Sequence, residues 1–162
     1  MRLFSALSAC CALLAVSSSG AAQEGEAPVV RHGRPGAMLL ESVEVAPSSR
    51  LLFIGGYAAS PLDPDDPSKG FGDTKTQTVS TLKKIEAVLE RRGFSMTDVI
   101  KLNIFVAADP ALGKADYEGV NAGFKEFFLT SSNPNTVART ALEVKALQHP
   151  ALYVEIEGLA AR

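Results

Sequence analysis

Two periodicities divide the chain. From Asp98 to Val106 apolar and polar residues alternate, with Ile100, Leu102, Ile104 and Val106 on one side of an extended backbone and Lys101 and Asn103 on the other. That is the period-two signature of a half-buried strand. From Thr76 to Arg92 the apolar positions Val79, Leu82, Ile85, Val88 and Leu89 recur every three or four residues instead, which predicts a helix. Thr74-Lys75-Thr76-Gln77 has the spacing of a capping box at its start, and Gly93 supplies a stop. A second helix is expected over Asp116–Leu129, with Tyr117, Val120, Phe124, Phe127 and Phe128 forming its stripe. Met38–Val45 and Arg50–Tyr57 read as strands joined through Ala46-Pro47-Ser48-Ser49 into an N-terminal hairpin. Two last strands, Val137–Ala146 and Ala151–Leu159, flank Gln148-His149-Pro150, and the Pro-, Gly- and acid-rich Ser60–Gly72 reads as a surface loop.

The order strand, strand, helix, strand, helix, strand, strand predicts an α+β fold, a single mixed β-sheet with two helices packed on one face. Each helix has one apolar stripe, so the other face of the sheet needs a cover. A second copy of the chain is the natural one, which favours self-association.

The N-terminus has a different texture. Arg2, the apolar run Leu3–Val16 and the small residues Ser17–Ala22 have the organisation of a secretory signal peptide over residues 1–22, with cleavage expected after Ala22. A lipoprotein signal at Leu7-Ser8-Ala9-Cys10 ranks second, and the apolar stretch is too short for a membrane span. Residues 23–35 then read as a flexible leader and residues 36–162 as the folded domain. The expected location is the periplasm of a Gram-negative cell, with no membrane contact after cleavage. Both cysteines, Cys10 and Cys11, fall inside the signal, so the mature chain is expected to have no disulfide, thiolate nucleophile or thiolate-bound zinc.

With 162 residues, 46% of them hydrophobic, and a formal net charge of −2, the chain suits one compact domain. Its Lys and Arg residues are dispersed and outnumbered by acids, which argues against nucleic acid as a partner. No P-loop, GxGxxG, HExxH or GxSxG pattern occurs, so neither a nucleotide cofactor nor a metal is expected.

The candidate chemistry lies in the last strands. Arg139 stands among small and apolar residues in Ala138-Arg139-Thr140-Ala141-Leu142, and a guanidinium cannot discard its charge when buried. It needs an anion: either a ligand carboxylate gripped by its planar fork, or Glu143, Glu155 or Glu157 in a strand-tying ion pair. Of these Glu143 is the preferred structural partner. Glu155 and Glu157 alternate with Val154 and Ile156, so both point to one strand face, where either could serve as a general base. Gly55-Gly56 ends the apolar run Leu51–Ile54 and fits either close approach of a ligand or a bulge. Asn121, beside the stripe of the second helix, suits a structural hydrogen bond to a neighbouring chain or a loop, and with Thr140 it is also a candidate substrate-binding residue. A binding module that holds carboxylates without turning them over would use the same cation and is the alternative to an enzyme.

Over roughly Gly36–Ala161 the chain resembles the Rid family, the reactive intermediate imine and enamine deaminases, also called YjgF-like. The resemblance rests on Gln77-Thr78 with Ile85–Leu89 and Gly93, Asp98–Leu102, Asn121 with Phe127-Phe128, Ala138-Arg139-Thr140, and Val154–Ala160. It implies a chorismate-mutase-like homotrimer with a central β-barrel and sites between subunits. It further implies that Arg139 holds a substrate carboxylate, aided by the strand at Gly55, Gly56 and Tyr57, and that Glu155 positions the hydrolytic water. The implied reaction converts a small 2-imino acid to a 2-oxo acid and ammonia without a cofactor. Where deaminase members carry Gly-Pro-Tyr this chain has Gly36-Ala37-Met38, where they carry Ser-Gly-Gln it has Gly55-Gly56-Tyr57, and Thr140 keeps a hydroxyl where serine is common.

Overall fold

A computed structural model describes residues 28–162; the expected signal peptide, its cleavage site, both cysteines and most of the leader lie outside the described residues. The sequence builds β1 (Val29–His32), β2 (Ser42–Val45), β3 (Leu51–Ala58), α1 (Thr74–Arg91), β4 (Val99–Asp109), β5 (Lys114–Ala115), α2 (Tyr117–Phe124), β6 (Ala138–Val144) and β7 (Val154–Ala161). The fold is α+β, as expected, with a mixed sheet in the order β3-β7-β4-β6. β4 pairs antiparallel with β7 and parallel with β6, and the short β5 pairs with its far end.

The expected N-terminal hairpin does not form. β2 pairs antiparallel with β1 in a separate two-stranded ribbon, and β3 pairs with β7. The leader therefore ends earlier than the composition suggests. Arg31 accounts for this anchoring: its Nη2 donates to the carbonyls of Thr97 and Val99 at 2.8 and 3.3 Å, tying β1 to the start of β4.

Helix α1 begins two residues before the expected Thr76 because its cap is Asp73, whose side chain accepts from Thr76 N at 2.7 Å. Its buried face is also rotated from the apolar stripe. Thr74, Gln77, Thr78 and Thr81 are buried with Leu82, Ile85 and Leu89, whereas Val79 and Val88 are only partly covered. Two of these polar residues bring their own partners. Thr78 Oγ1 donates to Thr74 O, and the Gln77 amide donates to Gly72 O and Ala151 O while its oxygen accepts from Tyr153 N. Helix α2 is shorter than expected, since after Phe124 the chain turns through Lys125–Phe127. Val120, Phe124 and Phe128 still reach the core, but Tyr117 is 40% exposed.

Thr78 is buried because Gly123 of α2 faces it. A β-carbon on Gly123 would lie 2.7 Å from Thr78 Cβ and 3.1 Å from the backbone oxygen of Lys75, an atom that cannot swing aside. Gly123→Ala is therefore expected to lower stability by about 1–3 kcal/mol through overpacking, outweighing the helix propensity gained. Thermal unfolding checks this; a melting temperature at or above wild type would show that the helices can separate freely.

The helices cover one sheet face. Leu102, Ile104, Val106, Val154 and Ile156 point into this core and are fully buried. The opposite face carries Phe53, which is 78% exposed, and Leu51 and Leu142, also exposed. Between them lie two polar cross-strand pairs, Lys101 Nζ to Thr140 Oγ1 at 2.8 Å and Asn103 Nδ2 to Glu157 Oε1 at 3.0 Å.

Candidate active site

Strand alternation decides where the last-strand charges go. In register with β4, Arg139 lies opposite Leu102 and Ala141 opposite Ile104, both core-facing positions, so the Arg139 side chain enters on the helix side. Glu155 lies opposite Phe105 and Glu157 opposite Asn103, on the other face. Within one chain the cation and the carboxylate are therefore separated by the thickness of the sheet.

The Arg139 half-site joins three elements. Nη2 donates to Asn121 Oδ1 at 2.6 Å and contacts Met38 Sδ at 3.9 Å, while the guanidinium carbon lies 4.7 Å from the centre of the Phe124 ring. Asn121 and Phe124 share a face of α2 because they are three residues apart. Nε and Nη1 are buried and, among the described residues, have no hydrogen-bond partner. The ion pairs among the described residues are His32–Glu44, Lys69–Asp63 and Lys75–Glu126. Glu143, the expected partner, thus makes no ion pair with Arg139; it is exposed near the end of β6. Burial without a countercharge lowers the Arg139 pKa from its ordinary value. The group remains a cation, since a guanidinium keeps its proton even inside a protein.

Asn121 thus makes its hydrogen bond to Arg139 within the same chain. The short hydrogen bond from Nη2 orients the guanidinium plane, and the Phe124 ring supports one side of it. Sequence reasoning placed Phe124 only in the core stripe, although its spacing from Asn121 carries the missing signal. Met38, 101 residues from Arg139, was marked only by the resemblance, as the residue standing where deaminase members carry the tyrosine of Gly-Pro-Tyr.

The second half-site is built on β3 and β7. Their register shifts between Ile54 and Tyr57, leaving Gly55-Gly56 at the irregularity. Glu155 lies across from Ala58, and its carboxylate reaches over Gly56 so closely that a β-carbon there would overlap Oε1. Tyr57, in register with Ile156, packs against the core instead of beside Glu155. Thr140 follows Arg139 but points to the opposite face, where its hydroxyl accepts from Lys101. The site residues thus divide into Arg139, Asn121, Met38 and Phe124 on one side and Gly56 and Glu155 on the other. Among the described residues no group of three or more His, Cys, Asp or Glu side chains converges as metal ligands would.

Residues 41–162 match the family described as Endoribonuclease L-PSP. A RutC family protein from Pyrococcus horikoshii is 35% identical over 113 residues, covering 70% of this chain and 80% of its own. A 2-iminobutanoate/2-iminopropanoate deaminase from Salmonella typhimurium is 32% identical over 101 residues, covering 61% and 73%. Among solved structures, the Rid protein family member YyfB from Yersinia pestis shares the fold with a TM-score of 0.62 at 23% identity, covering 84% of this chain and 100% of its own.

Proposed function

Because the chain belongs to the endoribonuclease L-PSP family, the family of the Rid proteins, we propose that it is an imine deaminase that hydrolyses small 2-imino carboxylic acids, or their enamine tautomers, to 2-oxo acids and ammonia. The observation that carries this reading is the Arg139 guanidinium, buried on Phe124, oriented by Asn121 and without a countercharge. A fixed cation in that state is complementary to one carboxylate. The relatives named as 2-imino acid deaminases supply the class of carboxylate.

The chemistry needs a cation and a base. Arg139 holds the substrate carboxylate, which fixes the adjacent C=N carbon and lowers the entropy cost of attack. Glu155 accepts a proton from water as the oxygen adds to that carbon, giving a carbinolamine. The imine is attacked as its iminium, so the carbinolamine carries NH2. Returning the proton from Glu155 makes that nitrogen an ammonium leaving group. As the C–N bond breaks, the hydroxyl oxygen forms the carbonyl of the 2-oxo acid and passes its proton back to Glu155, releasing ammonia. No electron transfer is involved, so the residues at hand suffice.

The two half-sites lie on opposite faces of one sheet, so this mechanism requires that Glu155 and Gly56 of one subunit meet Arg139 of another. We assign that role to a homotrimer, whose formation would also cover Phe53, Leu51 and Leu142. Export through the N-terminal 22 residues belongs to the same proposal, and an envelope-fraction assay of the full chain tests it.

The test of activity couples the protein to an amino-acid oxidase that generates 2-imino acids. Release of 2-oxo acid and ammonia should be faster than with oxidase alone. Rates equal to the protein-free control across several amino acids would overturn the proposal.

A further inference from the structure

The Arg139 site has an access problem. Its two unpartnered nitrogens, Nε and Nη1, are shielded from solvent, so a carboxylate cannot reach them unless a neighbour moves. The groups in contact with the guanidinium differ in their freedom to do so. Phe124 is fully buried and stacked on Phe128 at 4.5 Å, and Asn121 is held by its 2.6 Å bond from Nη2. Met38 is only partly buried, and its thioether rests 3.9 Å from Nη2. Its backbone is pinned, since Met38 O accepts from Thr136 Oγ1 and the neighbouring Leu40 N donates to Val137 O. The side chain beyond that anchor has three rotatable bonds and a soft sulfur that is a poor hydrogen-bond acceptor. Of these three neighbours it is the one a carboxylate approaching the guanidinium displaces most readily.

Resting on the reading of Arg139 as a carboxylate anchor, we propose that Met38 is a specificity-determining residue. Its side chain caps the guanidinium in the unliganded chain and becomes the adaptable apolar wall against which the substrate side chain is sized. Once swung aside it still hangs from a fixed backbone and takes up room beside the anchored carboxylate. A small 2-oxo or 2-imino acid needs a small displacement, and a branched one competes with the Met38 side chain for the same volume. Shortening Met38 should favour bulky ligands over small ones.

Calorimetry with two inert product-type probes, 2-oxopropanoate and 4-methyl-2-oxopentanoate, tests this without turnover. Met38→Ala should shift the affinity ratio about tenfold towards the bulkier acid. Met38→Val should shift it in the same direction by less, which keeps the test open if the alanine variant is unstable. Met38→Leu, which preserves volume, should leave the ratio near wild type. If wild type binds both acids, Arg139→Met loses them, and the ratio stays within twofold in the alanine and valine variants, Met38 has no sizing role although the anchor stands. If no variant and no wild-type protein binds either acid, the anchor reading fails and the inference falls with it.

Discussion

Arg139→Met should lower kcat/KM for 2-imino acid hydrolysis by roughly two to three orders of magnitude, the usual loss when one member of a desolvated charge pair is removed, while the chain stays folded. The first half follows from the site. A carboxylate gripped by a buried guanidinium gains charge-assisted hydrogen bonds that no neutral side chain of this size supplies, and among the described residues no other cation stacks on Phe124 or hydrogen-bonds Asn121. The second half separates function from structure. In the free chain the guanidinium is desolvated with two nitrogens unpartnered and no ion pair, a state that costs stability. Methionine has similar length, retains a favourable sulfur contact with Phe124, and leaves only the Asn121 oxygen needing a new partner. Thermal stability should therefore remain within about 1 kcal/mol of wild type or rise, the sign expected of a residue kept for function. A variant that unfolds would show that Arg139 holds the fold together, and a folded variant with undiminished activity would remove it from the mechanism.

The parts of the fold that follow from local pattern were legible. β4 alternates cleanly because one face lies under the helices, and β7 does the same with Val154 and Ile156 inward and Glu155 and Glu157 outward. What was not legible depends on contacts distant in sequence. The partner of β3 is β7, about a hundred residues away, and adjacency along the chain wrongly favoured β2. Thr78 of α1 lies outside the apolar stripe of the helix, and only its packing on Gly123 and its hydrogen bond to Thr74 O place it inside. Arg139 stood out because a charge among small apolar residues conflicts with its surroundings. Its separation from Glu155 also follows from strand parity, once β6 and β7 are both registered against β4. Composition alone could not supply that register, nor bring Met38 to the guanidinium.

Gly56→Ala should reduce kcat about a hundredfold without a matching loss of stability. The backbone at Gly56 lies outside the left-handed region, so alanine can adopt it without strain and the glycine is not needed for its conformation. It is needed for space. The added methyl would overlap the far end of Glu155, with its Cδ 3.2 Å away, and that flexible terminus can rotate aside at little cost to the fold. The catalytic cost is larger, because moving a base by about 1 Å from its working position lowers a rate on the order of a hundredfold. Glu155→Gln, which keeps the shape and removes the basicity, should lower kcat by roughly 10²–10⁴-fold. In both variants KM should change little, since the carboxylate grip at Arg139 is untouched. The double variant distinguishes the cause. If Gly56 acts by leaving room for Glu155, adding Gly56→Ala to Glu155→Gln should cost little more, a strong departure from additivity. If the two losses instead multiply, Gly56 acts on the ligand directly, and the overlap with Glu155 is not why this position is a glycine.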